Sequence, residues 1–122
     1  MSQSVESRVR GLGTAHEGLH HWTAQRLTAL ANLPLIAASL LLLCKASKGG
    51  YEGAVAFIGQ PLVAAWFGLT LIVAFYHAAL GLQVVIEDYV SAKGSKIALL
   101  FLVRFLAALC AVAGLASLIS LL

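Results

Sequence analysis

His77 stands in the run Leu62 to Ile86, which carries no formal charge at neutral pH, and it is the sixteenth residue of that run. At about 1.5 Å of rise per helical residue, this places the imidazole deep inside a hydrocarbon layer about 30 Å thick. An ionisable side chain at such depth marks a functional position with a partner to be found. Two chemistries suit it. A neutral imidazole bonds a polar group on a neighbouring helix, or its free ring nitrogen serves as an axial ligand to haem iron.

The residues that follow His77 extend the pattern. Gly81 comes four positions later, about 40° round a helix and one turn along it. A glycine there leaves room either for a flat macrocycle or for close helix packing. Asp88 comes eleven positions after His77, about three full turns, so it shares nearly the same face some 16 Å further along. Tyr89 lies about 100° further round. An acid and a phenol at a membrane boundary suit a polar head group, and they equally suit an aromatic belt and a helix end. Before the first apolar run stand His20, His21 and Arg26. His20 and Arg26 differ by about 120° in direction on a helix. They either flank the membrane as interfacial cations or receive anionic groups such as haem propionates. Arg104 lies about 10 Å along the third apolar run from Ile97. It either snorkels towards the cytoplasm or meets a carboxylate or propionate.

Helices must position these side chains, and the sequence supplies three apolar runs that fit. Leu27 to Cys44 is eighteen residues without a charge, with Pro34 inside it. Such a proline is tolerable in a membrane helix, because neighbouring helices satisfy the freed carbonyl. Leu62 to Ile86 is twenty-five residues, and Ile97 to Leu122 is interrupted only by Arg104. These predict spans over about 27–44, 62–86 and 97–122 in a single membrane-anchor domain. A moderately apolar stretch, about 51–60, reads as a short interfacial helix ending at Gln60-Pro61, with the proline opening the next helix. The polar start, with Ser2, Gln3, Ser4 and Ser7, reads as a loose terminus. Thr14 to Glu17 reads as a capping box.

Composition demands the same class. Of 122 residues, 61% are hydrophobic and 11% charged, against roughly 25% charged in soluble domains. A soluble fold of this size cannot bury that much apolar surface. The net charge of +3 comes from cations at the ends of apolar runs, so it orients a membrane protein and implies no nucleic-acid partner. Arg8, Arg10, Arg26, Lys93 and Lys96 share one side, against Lys45 and Lys48 on the other. The positive-inside rule then puts the N-terminus and the Ser91–Lys96 loop in the cytoplasm and the C-terminus outside. No apolar signal-peptide core occupies the first twenty residues, so the first span is expected to direct insertion. Cys44 and Cys110 are isolated in apolar runs and read as small buried hydrophobes.

The run His77-Ala78-Ala79-Leu80-Gly81-Leu82-Gln83-Val84-Val85-Ile86-Glu87-Asp88-Tyr89 resembles the His-x3-Gly-x6-Asp-Tyr motif of the succinate dehydrogenase cytochrome b membrane anchor, the small hydrophobic chain of that complex. The approach from His20 to Arg26, the Leu-Thr-Ala start of the first span and the three-span plan are similar too, so the resemblance covers nearly the whole chain. It implies an all-α anchor in the bacterial inner (cytoplasmic) membrane, packed with a sister cytochrome b subunit. Haem b is then held between one histidine from each anchor, with His77 as the ligand to the haem iron on this chain. His20 and Arg26 match residues near the haem propionates. Tyr89 and Asp88 match the quinone site, where ubiquinone or menaquinone is reduced. The further partners it implies, on the cytoplasmic face, are a flavoprotein subunit and an iron–sulfur subunit. One departure is visible: His21 stands where many members have an acid, which touches the propionate network and not the ligand.

The leading expectation is therefore an electron-transfer anchor of succinate:quinone oxidoreductase. The chain carries no succinate chemistry of its own, having no soluble domain to hold a flavin. The anchor of a quinol:fumarate reductase, running the reverse reaction, has the same sequence requirements. A cofactor-free membrane scaffold is the reading in which His77 only packs helices.

Overall fold

The computed structural model describes residues 15–122, with side chains from residue 18 onward. The polar start and Thr14 lie outside the described residues, as do the side chains of the capping box expected over Thr14 to Glu17. The described residues form helices joined by short turns. Helix α1 spans Ala15–Ala46. A single 3-10 turn, Ser47–Gly49, leads into α2, Gly50–Ile58. Helix α3 spans Pro61–Tyr89 and α4 spans Lys93–Ile119. Three helices are long and apolar enough to cross a membrane. The protein is thus an all-α membrane protein, and the short helix expected near 51–60 is present as α2.

Local chemistry explains the boundaries. Pro61 occupies the first turn of α3, where its missing N–H costs nothing, and Gln60 before it is extended. Gly50, the first residue of α2 after the 3-10 turn, takes a φ of 66°, a left-handed value that side chains disfavour. Pro34 sits inside α1 without ending it.

Helix α3 is central. Helices α1 and α4 each run antiparallel along it, and contacts of both with α3 dominate the packing. The covered side of α1 includes His21, Gln25, Thr28, Asn32, Leu35, Ser39, Leu42 and Ala46. The alternating steps of four and three make this one seam against a neighbouring helix. Its first half is polar and its second half mainly apolar. Small residues bring α3 and α4 together. A side chain on Gly68 would meet Leu115 Cδ2 at 3.1 Å, and one on Gly114 would meet Leu71 Cδ1 at 2.8 Å. At the far end the Leu121 carbonyl oxygen rests against Gly59, where any Cβ would collide with it.

The outer faces carry exposed Leu, Ile and Phe, and no residue of α4 is buried within the chain. That distribution suits lipid or a neighbouring subunit as the surrounding medium. Cys44 and Cys110 correct the expectation made for them: both are exposed on outer helix faces. A free cysteine packs as well against an apolar exterior as inside a core, so an apolar run does not tell the two apart.

Candidate functional site: a polar seam around His77

The N-terminal half of α1 meets the C-terminal half of α3, and His77 lies on that seam. Its Nδ1 is 2.8 Å from the Thr28 hydroxyl oxygen. The Thr28 hydroxyl also lies 2.7 Å from the Ala24 carbonyl oxygen and 3.2 Å from that of Gln25. One hydroxyl proton serves one strong acceptor. Donation to Ala24 leaves the oxygen to accept the N–H of His77 Nδ1. His77 also lines a cleft of about 390 Å³ with Ala29, Asn32, Leu33, Ile36 and Ala37 of α1. Asn32 is 8% exposed, and its Oδ1 has no hydrogen-bond partner.

Towards the N-terminal end of α1 the seam opens into a second cleft of about 580 Å³, lined by His21, Trp22, Gln25 and Arg26 together with Gln83 and Glu87 of α3. His21 Nε2 and Gln25 Oε1 are buried there without partners. The Arg26 guanidinium lies over the Trp22 ring, 4.3 Å from its centroid, a cation–π contact that holds the charge at the cleft wall.

Gly81 faces this seam. A side chain there would meet Gln25 Nε2 at 3.5 Å. That is an ordinary van der Waals distance, so Gln25 lies beside Gly81 without requiring a glycine there.

A second polar chain joins α3 to α4. Arg104 donates to Gln83 Oε1 over 2.9 Å, and Gln83 Nε2 donates to Glu87 Oε1 over 2.7 Å. Lys96 donates to the Glu87 carbonyl oxygen over 2.9 Å. Arg104 therefore reaches a carboxylate through an intervening amide. In the other half of the helices Trp66 Nε1 donates to Ser39 Oγ at 3.2 Å, and the Ser39 and Thr70 hydroxyls are 3.1 Å apart. Thr70 donates to the Trp66 carbonyl oxygen at 2.9 Å, so the Ser39 hydroxyl donates to Thr70. Each proton in this clasp is used once, as a hydrocarbon surrounding requires.

The sequence-predicted residues thus fall into groups. His77 and Arg26 line clefts on the seam between α1 and α3. His20 is exposed on α1 and is not among the residues lining those clefts. Asp88 and Tyr89 end α3, both exposed, Tyr89 at 84%. Sequence reasoning missed Thr28 as the partner of His77, and Gln83 as the link from Arg104 to Glu87. The signal for the first was present. His21, Gln25, Thr28 and Asn32 recur at steps of four, three and four, which makes a polar stripe running into an apolar span.

A haem is the group whose fit needs testing. A neutral imidazole tied through Nδ1 to its own chain keeps a lone pair at Nε2, which is the donor that haem iron takes. The cleft beside it has small walls at Ala29 and Ala37. The residues present fit such a group.

Comparison with known proteins gives the same direction. Residues 2–112 match the family described as succinate dehydrogenase/fumarate reductase transmembrane subunit. The chain is 34% identical over 107 residues to the succinate dehydrogenase hydrophobic membrane anchor subunit of Rickettsia bellii, covering 87% of this chain and 85% of that protein. It is 33% identical over 97 residues to the protein of the same description from Paracoccus denitrificans, covering 80% and 75%. That from Rickettsia conorii is 29% identical over 99 residues, covering 80% and 78%. No solved structure matches significantly. With a match across nearly its whole length, and with the three apolar helices in place, the chain belongs to the succinate dehydrogenase/fumarate reductase transmembrane-subunit family.

Proposed function

We propose that this chain is the small hydrophobic anchor of a succinate:quinone oxidoreductase in the bacterial inner membrane, that it provides His77 as one axial ligand of haem b, and that it forms part of the quinone site. The observation that carries the reading is the placement of His77. It lies deep in an apolar helix, with one ring nitrogen held by Thr28 at 2.8 Å and with a cleft alongside. The named relatives are each succinate dehydrogenase anchors, which favours succinate oxidation over the reverse reaction and weighs against a cofactor-free scaffold. They come from Rickettsia and Paracoccus, which supports an inner-membrane location.

When bound, haem b supplies a one-electron store inside the membrane. The chain's own part is to hold and orient it. His77 offers Nε2, and Arg26, fixed over Trp22 at the wall of the neighbouring cleft, offers a cation for a propionate carboxylate. His20 adds donor capacity at the same end of α1. Quinone reduction takes up two electrons and two protons, so it needs a donor at the carbonyl oxygen and a path for protons. Tyr89 supplies a phenolic O–H at the end of α3, and Asp88 beside it holds water or relays protons from the cytoplasm. The cation excess on the N-terminal side puts that end of α3 in the cytoplasm, where electrons from soluble flavoprotein and iron–sulfur subunits arrive. The second haem ligand comes from a sister anchor subunit.

Purification of the native membrane complex tests this reading. A reducible b-type spectrum is the expected result, together with co-purification of a flavoprotein, an iron–sulfur protein and a second small membrane protein. A colourless chain that purifies without them removes the proposal.

A further inference from the structure

We propose that Thr28 is a positioning residue for the haem ligand: it holds His77 in the Nδ1–H tautomer, sets the orientation of the ring, and thereby tunes the potential of the iron bound at Nε2. The inference rests on the reading of His77 as a ligand and adds a residue and a mechanism to it.

Thr28 is committed on both sides. Its hydroxyl donates to the Ala24 carbonyl oxygen at 2.7 Å, one turn earlier on its own helix. That acceptor belongs to the backbone of α1, so the bond fixes the threonine rotamer. Once its proton is used there, the hydroxyl oxygen is only an acceptor, and His77 Nδ1 at 2.8 Å must be the donor. The neutral imidazole then has its lone pair on Nε2.

The register that makes this contact is held from both directions. Towards one end of α1, Gln25 packs over Gly81. Towards the other end, Ser39 is clasped by Trp66 and Thr70. Thr28 therefore meets His77 through a rigid pairing of α1 with α3, and the ring cannot turn without breaking the bond.

An Nδ1–H that donates a hydrogen bond makes the opposite nitrogen a better electron donor to a metal, which stabilises the more oxidised iron. A hydroxyl is a neutral acceptor, so it gives part of the effect that a carboxylate would give. Removing it should therefore raise the haem midpoint potential. Replacing it by a carboxylate should lower it.

The test uses the complete membrane complex carrying Thr28→Val or Thr28→Ser, with His77→Ala as reference. The readouts are redox titration of the b-type absorbance and the low-spin electron paramagnetic resonance spectrum, which reports ligand-plane orientation. Valine keeps the shape and the β-branch, and serine keeps the hydroxyl. The expected result is a raised midpoint potential and an altered low-spin spectrum in Thr28→Val, with both restored towards wild type in Thr28→Ser. Loss of haem from the valine variant alone supports the proposal as well, because only the hydroxyl distinguishes the two variants at this contact. An unchanged potential and spectrum in Thr28→Val overturns it, provided His77→Ala loses the low-spin signal; His77 then remains the ligand and Thr28 only packs. Equal loss of haem from both Thr28 variants also overturns it, since packing rather than the hydroxyl would matter. If His77→Ala keeps the low-spin signal, the ligand reading itself fails and the Thr28 proposal falls with it.

Discussion

Arg104 of α4 donates a hydrogen bond to the Oε1 of Gln83 on α3 over 2.9 Å, and Gln83 hands the interaction on to Glu87 over 2.7 Å. A neutral amide thus stands between a cation and an anion, orienting its carbonyl to one and its amino group to the other. The arrangement ties α3 to α4 at a depth where a lone guanidinium would be costly. It also draws Arg104 towards the end of the helices that carries Lys96 and Glu87.

Replacing Gln83 by Leu should therefore weaken the pairing of α3 with α4 on the order of 1 kcal/mol, the range measured for side-chain hydrogen bonds within helical membrane proteins. Resistance of the chain to unfolding in sodium dodecyl sulfate, followed by circular dichroism, reads this out. Gln83→Glu, which can pair directly with Arg104, should retain more of that resistance than Gln83→Leu. Equal resistance of Gln83→Leu and wild type would show that the bridge contributes nothing.

His77→Ala removes the imidazole whose Nδ1 Thr28 holds. If His77 is the proposed axial ligand, the low-spin b-type spectrum of the assembled complex should disappear or be strongly perturbed. Succinate oxidation with an artificial electron acceptor should survive, since it needs only the soluble subunits. An unaltered haem spectrum would remove His77 from the ligand set.

Tyr89 is 84% exposed at the end of α3, and its hydroxyl is the proposed donor to the quinone. Tyr89→Phe keeps the ring and deletes one donor to an oxygen that gains negative charge during reduction. Succinate-driven quinone reduction should fall by about tenfold or more, with haem content and dye reduction normal. Full retention of quinone reduction would leave Tyr89 as a member of an aromatic belt.

Orientation is open to chemical labelling. In a background with Cys44→Ala and Cys110→Ala, an Ala92→Cys substitution in the turn between α3 and α4 should react with an impermeant thiol reagent only from the cytoplasmic side. Labelling from the periplasmic side alone would invert the topology and place Tyr89 away from the soluble subunits.

The sequence by itself determined the membrane class, the three apolar helices and the place of His77 within the middle one. Each depends on local composition and on the constant rise of a helix. The His77-to-Tyr89 run was enough to suggest the family, which the match over residues 2–112 then established. Pairings between helices were a different matter. Thr28 and His77 are 49 residues apart, and Arg104 and Gln83 are 21 apart. Gly81 and Gln25 are likewise far apart in sequence, and only the pairing of α1 with α3 brings them together. Cys44 and Cys110 looked like core residues and turned out to face outwards. In each case the decision lay in how far each helix is rotated and shifted against its neighbour. Backbone hydrogen bonds within a helix are indifferent to that rotation. It is set by small residues such as Gly68 and Gly114 letting two backbones approach, and by the few polar side chains that must find partners where no water is at hand.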